Sequence, residues 1–114
     1  MDIRLSSPKY KKKMYSLWQE CFGDDNETID MFFKNSFSYE NAVICTEGQE
    51  VVSQLFLLPE KLSIAGKGYS AYYIYAAATA KKYRKRGIMG SVLKFAASLA
   101  ADRKSDYLFL VPAT

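Results

Sequence analysis

The spacing of apolar positions changes several times along the chain, and each change marks an element. Residues 2–6 alternate, with Ile3 and Leu5 two apart, which predicts a short strand. Ser6 or Ser7 then offers a helix N-cap, with Pro8 near the first helical position. From 9 to 21 the apolar residues Tyr10, Met14, Leu17, Trp18 and Cys21 follow helical spacing, and Gly23 is placed to cap the end. A second helix is expected from Asn26 or Thr28 to about Phe37, burying Ile29, Phe32, Phe33 and Phe37. Residues 41–46 read as a strand and Gly48-Gln49 as a turn. Residues 51–58 form a strongly apolar strand that continues through 61–65, with a bulge or bend expected at Pro59. Gly66-Lys67-Gly68 turns the chain into a long strand over 69–78. A basic loop over 81–86 leads into a helix over 87–103, whose buried face is Met89, Val92, Leu93, Ala96, Leu99 and Ala100. A last apolar strand covers 106–111 and is broken by Pro112.

The predicted order is therefore β, α, α, β, β, β, α, β. The three middle strands follow one another through short turns and read as an antiparallel meander. The final strand–helix–strand unit places its two strands parallel through a right-handed crossover. The expected fold class is α+β, a mostly antiparallel sheet with one parallel pair and helices on both faces. With 114 residues the chain is long enough for one domain, 1–114, and too short for two.

Composition narrows the chemistry more than the fold. Hydrophobic residues at 49% and charged residues at 25% describe a globular chain rather than a disordered one. The net charge of +4 suits an anionic partner without singling out nucleic acid. There is no histidine, which excludes Ser-His-Asp and Cys-His mechanisms from this chain. Any general base is then a carboxylate, a tyrosine, a lysine or water. Cys21 and Cys45 fit no metal-ligand spacing, so no metal site is expected, and both read as reduced thiols. No apolar run follows Met1-Asp2-Ile3-Arg4, and the longest apolar stretch, 71–78, is far shorter than a membrane span. The expectation is a cytoplasmic protein with no membrane partner.

One stretch carries chemistry: Thr79-Ala80-Lys81-Lys82-Tyr83-Arg84-Lys85-Arg86-Gly87-Ile88-Met89-Gly90-Ser91, between a strand and a helix start. The first amides of a helix have no intrahelical partner, and the helix dipole favours negative charge there. Gly87 and Gly90 let a ligand approach the backbone closely, and Arg84, Lys85 and Arg86 add positive charge. Together they form a site for a diphosphate. The stretch is neither a Walker loop, since Gly-Lys-Ser/Thr is absent, nor the dinucleotide fingerprint, since its glycine spacing differs. Read from charge and glycine alone, the alternative is a solvated basic loop ahead of an ordinary helix.

The run Arg84-Lys85-Arg86-Gly87-Ile88-Met89 resembles the Gln/Arg-x-x-Gly-x-Gly/Ala signature of the GNAT superfamily of N-acetyltransferases. Met89 departs from its last position, with Gly90 one place later. Tyr75-Ala76-Ala77-Ala78-Thr79 is similar to that family's fourth strand. Leu17-Trp18-Gln19-Glu20-Cys21-Phe22-Gly23-Asp24, Leu57-Leu58-Pro59 and Leu108-Phe109-Leu110-Val111-Pro112-Ala113 resemble its Eis-like branch. The element order matches the first two thirds of the family's domain. The resemblance implies acetyl-CoA as co-substrate and a small-molecule or peptide amine as acceptor. It implies that the backbone of Ala77, Ala78 and Thr79 pairs with the pantetheine arm. The amides of Lys85, Arg86, Gly87, Ile88, Met89 and Gly90 would surround the pyrophosphate, with Arg84 beside it and Thr114 near the thioester.

Family members continue past the fifth strand with a helix and two strands, and that helix commonly carries a tyrosine that protonates the leaving thiolate. The resemblance thus implies an incomplete domain, with an exposed last strand through which copies of the chain could pair. Glu60 is a candidate base on a neighbouring strand, against a plain solvent-facing carboxylate. Tyr73 and Tyr75 share one face of their strand and either line the acceptor site or pack in the core. Lys9, Lys11, Lys12 and Lys13 read as a wetted helix face. A non-catalytic acyl-CoA-binding module and a basic nucleic-acid-binding protein remain the alternatives to an acetyltransferase.

Overall fold

A computed structural model of the chain describes residues 1–110. Alternation along the second strand decides the layering. In β2 (Ala42–Glu47), Ala42 and Ile44 face one side of the sheet while Val43 and Cys45 face the other, and all four are buried. A strand buried on both faces needs a cover on each. The first cover is α1 (Lys11–Phe22) with α2 (Asn26–Asn35), which bring Met14, Leu17, Trp18, Ile29 and Phe33 against Ile44 and Phe56. The second is α3 (Ile88–Asp102), whose Ile88, Val92 and Ala96 pack on Val43, Cys45, Leu55, Leu57 and Ile74.

The sheet is completed by β1 (Asp2–Leu5), β3 (Glu50–Ile64), β4 (Lys67–Thr79) and β5 (Tyr107–Leu110), in the spatial order β1-β2-β3-β4-β5. Every neighbouring pair is antiparallel except β4 and β5, which are parallel and joined across α3. The expected class and element order therefore hold. Helix starts differ slightly: residues Pro8–Tyr10 form a separate 3-10 turn before α1, and Phe37 lies beyond α2. Gly23 ends α1 at φ +65°, its N–H donating to the Gln19 carbonyl. Lys9, Lys11 and Lys12 are exposed, and Lys13 pairs with Glu50 at 3.0 Å. No helix among the described residues is long and apolar enough to cross a membrane.

The expected bulge at Pro59 is not where the sheet bends. Pro59 stays in register opposite Tyr72, beyond the end of the β2 pairing at Ala42↔Phe56. A proline there removes no ladder bond to β2, so it needs no bulge. The turn between β3 and β4 is Ala65-Gly66, both at positive φ, rather than Gly66-Lys67-Gly68. The irregularities lie elsewhere. Cys45 pairs with Ser53 but Thr46 with Val51, which leaves Val52 as an extra residue in β3. Gln54 pairs with Ala78 but Phe56 with Tyr75, so Leu55 faces two residues of β4, Ala76 and Ala77. Ala76 adopts φ +52°, a conformation that costs a residue with a Cβ roughly 1–2 kcal/mol.

The tight corner between α1 and α2 rests on Asp25, whose side chain accepts a 2.8 Å bond from the Thr28 amide. That bond holds the Asp25 carboxyl below its ordinary value of 3.8. A depressed native value means the stabilisation is present above 3.8 and is lost as pH falls through the native value. Asp25→Ala is therefore expected to lower the melting temperature at pH 7, with the difference from the parent shrinking in acid below about pH 4. Paired thermal melts from pH 2 to pH 7 test this, and a constant difference would contradict it.

Candidate active site

Among the described residues β4 and β5 pair over Ala71–Ile74 and Tyr107–Leu110, short of the β4 bulge. From Tyr75 to Thr79 that edge of β4 has no strand partner among the described residues. Just past it, Ala80 N–H donates to the Val52 carbonyl and Lys81 N–H to Glu20 Oε2, which anchors the start of the basic segment. Arg84 Nε turns back onto the Thr79 carbonyl at 2.9 Å, and Cys21 Sγ approaches the same oxygen at 3.4 Å.

Lys85 and Gly87 both adopt positive φ, +64° and +75°, so the chain twists sharply before α3 begins at Ile88. Glycine is the residue that reaches the second of these conformations without a Cβ penalty. Ser91 N–H is the first to find a carbonyl one turn back, that of Gly87 at 3.2 Å. The amides of Ile88, Met89 and Gly90 precede it and have no such carbonyl. Gly90 has ordinary helical geometry, and a Cβ there would meet nothing within 4 Å. Neither strain nor crowding within the fold thus accounts for a glycine at this position, which in a helix costs about 1 kcal/mol against alanine.

These features open into one cleft of about 380 Å³. Ala77, Ala78, Thr79, Arg84, Lys85, Gly87, Ile88, Met89 and Gly90 all line it. Arg86 does not: its guanidinium stacks over the Tyr83 ring, 5.3 Å from the centroid. Thr114 lies outside the described residues. Cys21, Phe22 and Tyr83 line the cleft as well. No local pattern near Cys21 and Phe22 points to the basic segment, because the contact is made across about sixty residues of chain.

A second cleft of about 310 Å³ lies on the other side of the bulge and shares Phe22 and Ala77 with the first. Its walls are Trp18, Phe22, Tyr73, Ile74, Tyr75, Ala76, Ala77 and Leu110, with Asp24 among them. Tyr73 and Tyr75 do share a face, their rings 6.2 Å apart, and both line this cleft. Tyr75 also touches Trp18 and Phe32, so it serves the core and the cleft together. Glu60 belongs to neither cleft. It is exposed, in a groove with Lys61, Ser70, Tyr72 and Arg103, because its register opposite Ala71 places it well away from the bulge. Among the described residues the first cleft carries Arg84 and Lys85 and no carboxylate, while the second carries one carboxylate and no cation.

A five-stranded mixed sheet with a bulge in β4 beside a basic helix head is the frame that the two clefts share. The chain belongs to the GNAT acetyltransferase family, whose domain model matches residues 2–114. Solved structures agree on the fold. A GCN5-related N-acetyltransferase from Anabaena variabilis superposes with a TM-score of 0.89 at 19% identity, covering 99% of this chain and 29% of that one. An aminoglycoside acetyltransferase from an uncultured soil metagenomic sample gives 0.68 at 24% identity, covering 99% and 80%. Eis1 from Mycobacterium abscessus gives 0.78 at 11% identity, covering 92% and 27%. At these identities the likeness concerns the fold alone, and the chain spans less than a third of the Anabaena and Mycobacterium proteins. No curated protein matched the chain.

Proposed function

We propose that this domain binds acetyl-CoA in the first cleft and passes the acetyl group to an amine presented from the second. One observation carries the reading: the partnerless amides of Ile88, Met89 and Gly90 and the edge of β4 at 75–79, unpaired among the described residues, open into the same cationic cleft. The pyrophosphate lies at the head of α3, within reach of Gly87, Ile88, Met89 and Gly90 and beside Arg84 and Lys85. The pantetheine arm runs along Ala77 and Ala78 as an added strand. The Thr79 carbonyl is already held by Arg84, so the arm is paired mainly upstream of it. The segment at 17–24 supplies Cys21 and Phe22 to the first cleft and Trp18, Phe22 and Asp24 to its neighbour.

In the reaction, the free-base amine nitrogen bonds to the acetyl carbon, the carbon–sulfur bond breaks to release the CoA thiolate, and the proton shed by nitrogen passes through water to that thiolate, leaving a neutral amide and CoA thiol. The chain's part is to hold two reactants on either side of the bulge, which supplies the proximity term. The donor that polarises the carbonyl would be a backbone N–H near Ala77.

The two thiols provide a test that needs no acceptor. Cys45 is 1% exposed and burial pushes its thiol up, whereas Cys21 is partly exposed and lines the first cleft. Iodoacetamide is expected to alkylate Cys21 in the native protein and leave Cys45 untouched. Acetyl-CoA, whose sulfur is blocked from reacting with the reagent, at 100 times its dissociation constant should slow that alkylation by one to two orders of magnitude and stabilise the fold by about 2.7 kcal/mol. Unchanged labelling and an unchanged melting temperature in saturating acetyl-CoA would overturn the assignment. Radiolabelled acetyl transfer to a panel of amines then separates an enzyme from a module that only holds the cofactor.

A further inference from the structure

We infer that the second cleft selects an acceptor carrying a single positive charge on an apolar body, an aryl- or alkyl-substituted primary amine, with Asp24 as its charge-recognising residue. The inference rests on the proposed acetyl transfer and names the substrate class for it.

Asp24 is exposed, but its carboxylate is held in place. Its Oδ2 accepts a 2.8 Å bond from Trp18 Nε1, and Trp18 is only 2% exposed, so the carboxylate is pinned at the cleft by a residue rooted in the core. That bond uses one of several lone-pair positions and leaves the rest for a donor in the cleft. Around it stand the rings of Trp18, Phe22, Tyr73 and Tyr75. Aromatic faces attract cations and receive apolar bodies, so the wall suits both parts of such an amine. The adjoining cleft carries the opposite charge, with Arg84 and Lys85. An anionic acceptor would be repelled by Asp24 and drawn instead to the cofactor's phosphate site. Among the described residues a polycationic sugar would find one carboxylate for several charges, and apolar rings where its hydroxyls need partners. One charge on a hydrophobic frame fits what lines the cleft.

Trp18 is the single tryptophan of the chain, so its fluorescence reports this cleft directly. The wild-type protein, without CoA, is titrated with 2-phenylethylamine, with neutral 2-phenylethanol and with the aminoglycoside kanamycin. A saturable fluorescence change with the amine is expected, and the alcohol and the aminoglycoside should bind at least about fivefold more weakly. Asp24→Asn keeps an acceptor for Trp18 Nε1 and should lower affinity for the amine about five- to tenfold while leaving the alcohol unchanged. Phe22→Ser, at a ring 43% exposed, removes one wall without opening the core and should weaken amine and alcohol alike. Equal binding of amine and alcohol, tighter binding of kanamycin, or an Asp24→Asn variant with undiminished amine affinity overturns the inference. Any of these alongside an intact CoA-induced shift leaves the cofactor assignment standing. Amine binding without a CoA shift sinks the transfer reading instead.

Discussion

Replacing Gly87 by aspartate is expected to weaken CoA binding by about two to three orders of magnitude while the protein stays folded. The two halves of that expectation have separate causes. Gly87 sits at φ +75°, but a Cβ there would meet nothing within 4 Å, and aspartate is among the residues that tolerate the left-handed region. The cost to the fold is then about 1–2 kcal/mol, and its melt should remain cooperative. The cost to binding is electrostatic. A carboxylate at the head of α3 faces the same space as the amides of Ile88, Met89 and Gly90, and opposes a diphosphate where the helix dipole would favour it. At about 4 Å and an effective dielectric of about 20, like unit charges repel by about 4 kcal/mol. Titration calorimetry with CoA, run beside a circular-dichroism melt, reads both halves. Affinity within about threefold of the parent would remove the phosphate from this position.

Trp18→Ala is expected to be the most destabilising single change described here, at about 3–5 kcal/mol. Trp18 is 2% exposed, and its ring lies 5.0 Å from that of Phe32, 5.5 Å from Phe56 and 5.9 Å from Tyr75. It therefore joins α1, α2, β3 and β4 at one point, and its removal leaves a cavity that no single neighbour fills. For a domain of this size each kcal/mol is worth about 4–8 °C, so the melting temperature should fall by about 15–30 °C. Thermal unfolding followed by circular dichroism measures it. A drop under about 5 °C would mean that the aromatic cluster closes over the gap. The same substitution frees Asp24 from its anchor, so the core and the second cleft are expected to fail together.

The two substitutions act on opposite sides of the β4 bulge, and the sides were unequally legible: on the second, alternation picked out Tyr73 and Tyr75, but nothing local picked out Trp18 or Asp24 as their neighbours. The head of α3 was readable because its determinants are contiguous: a strand ending near Thr79, a basic run, Gly87, then helical spacing at Val92 and Ala96. Arg86 was legible as a charge but not as a contact, since its stacking on Tyr83 is a choice of rotamer. Glu60 was offered as a base from its position on a neighbouring strand, and the register opposite Ala71 puts it in a different groove.

The sequence by itself determined the order and type of the elements, the cap at Gly23 and the helix head at Gly87. Each follows from residues within a few positions of one another, where hydrophobic period and backbone preference act directly. The tertiary structure alone decided the extra residues at Val52 and Ala76–Ala77, the meeting of Cys21 with Thr79, and the Trp18–Asp24 bond beside Tyr73 and Tyr75. A bulge depends on which residues a neighbouring strand sets opposite it, and a cleft depends on elements brought together across about sixty residues of chain. Neither quantity is encoded in local periodicity.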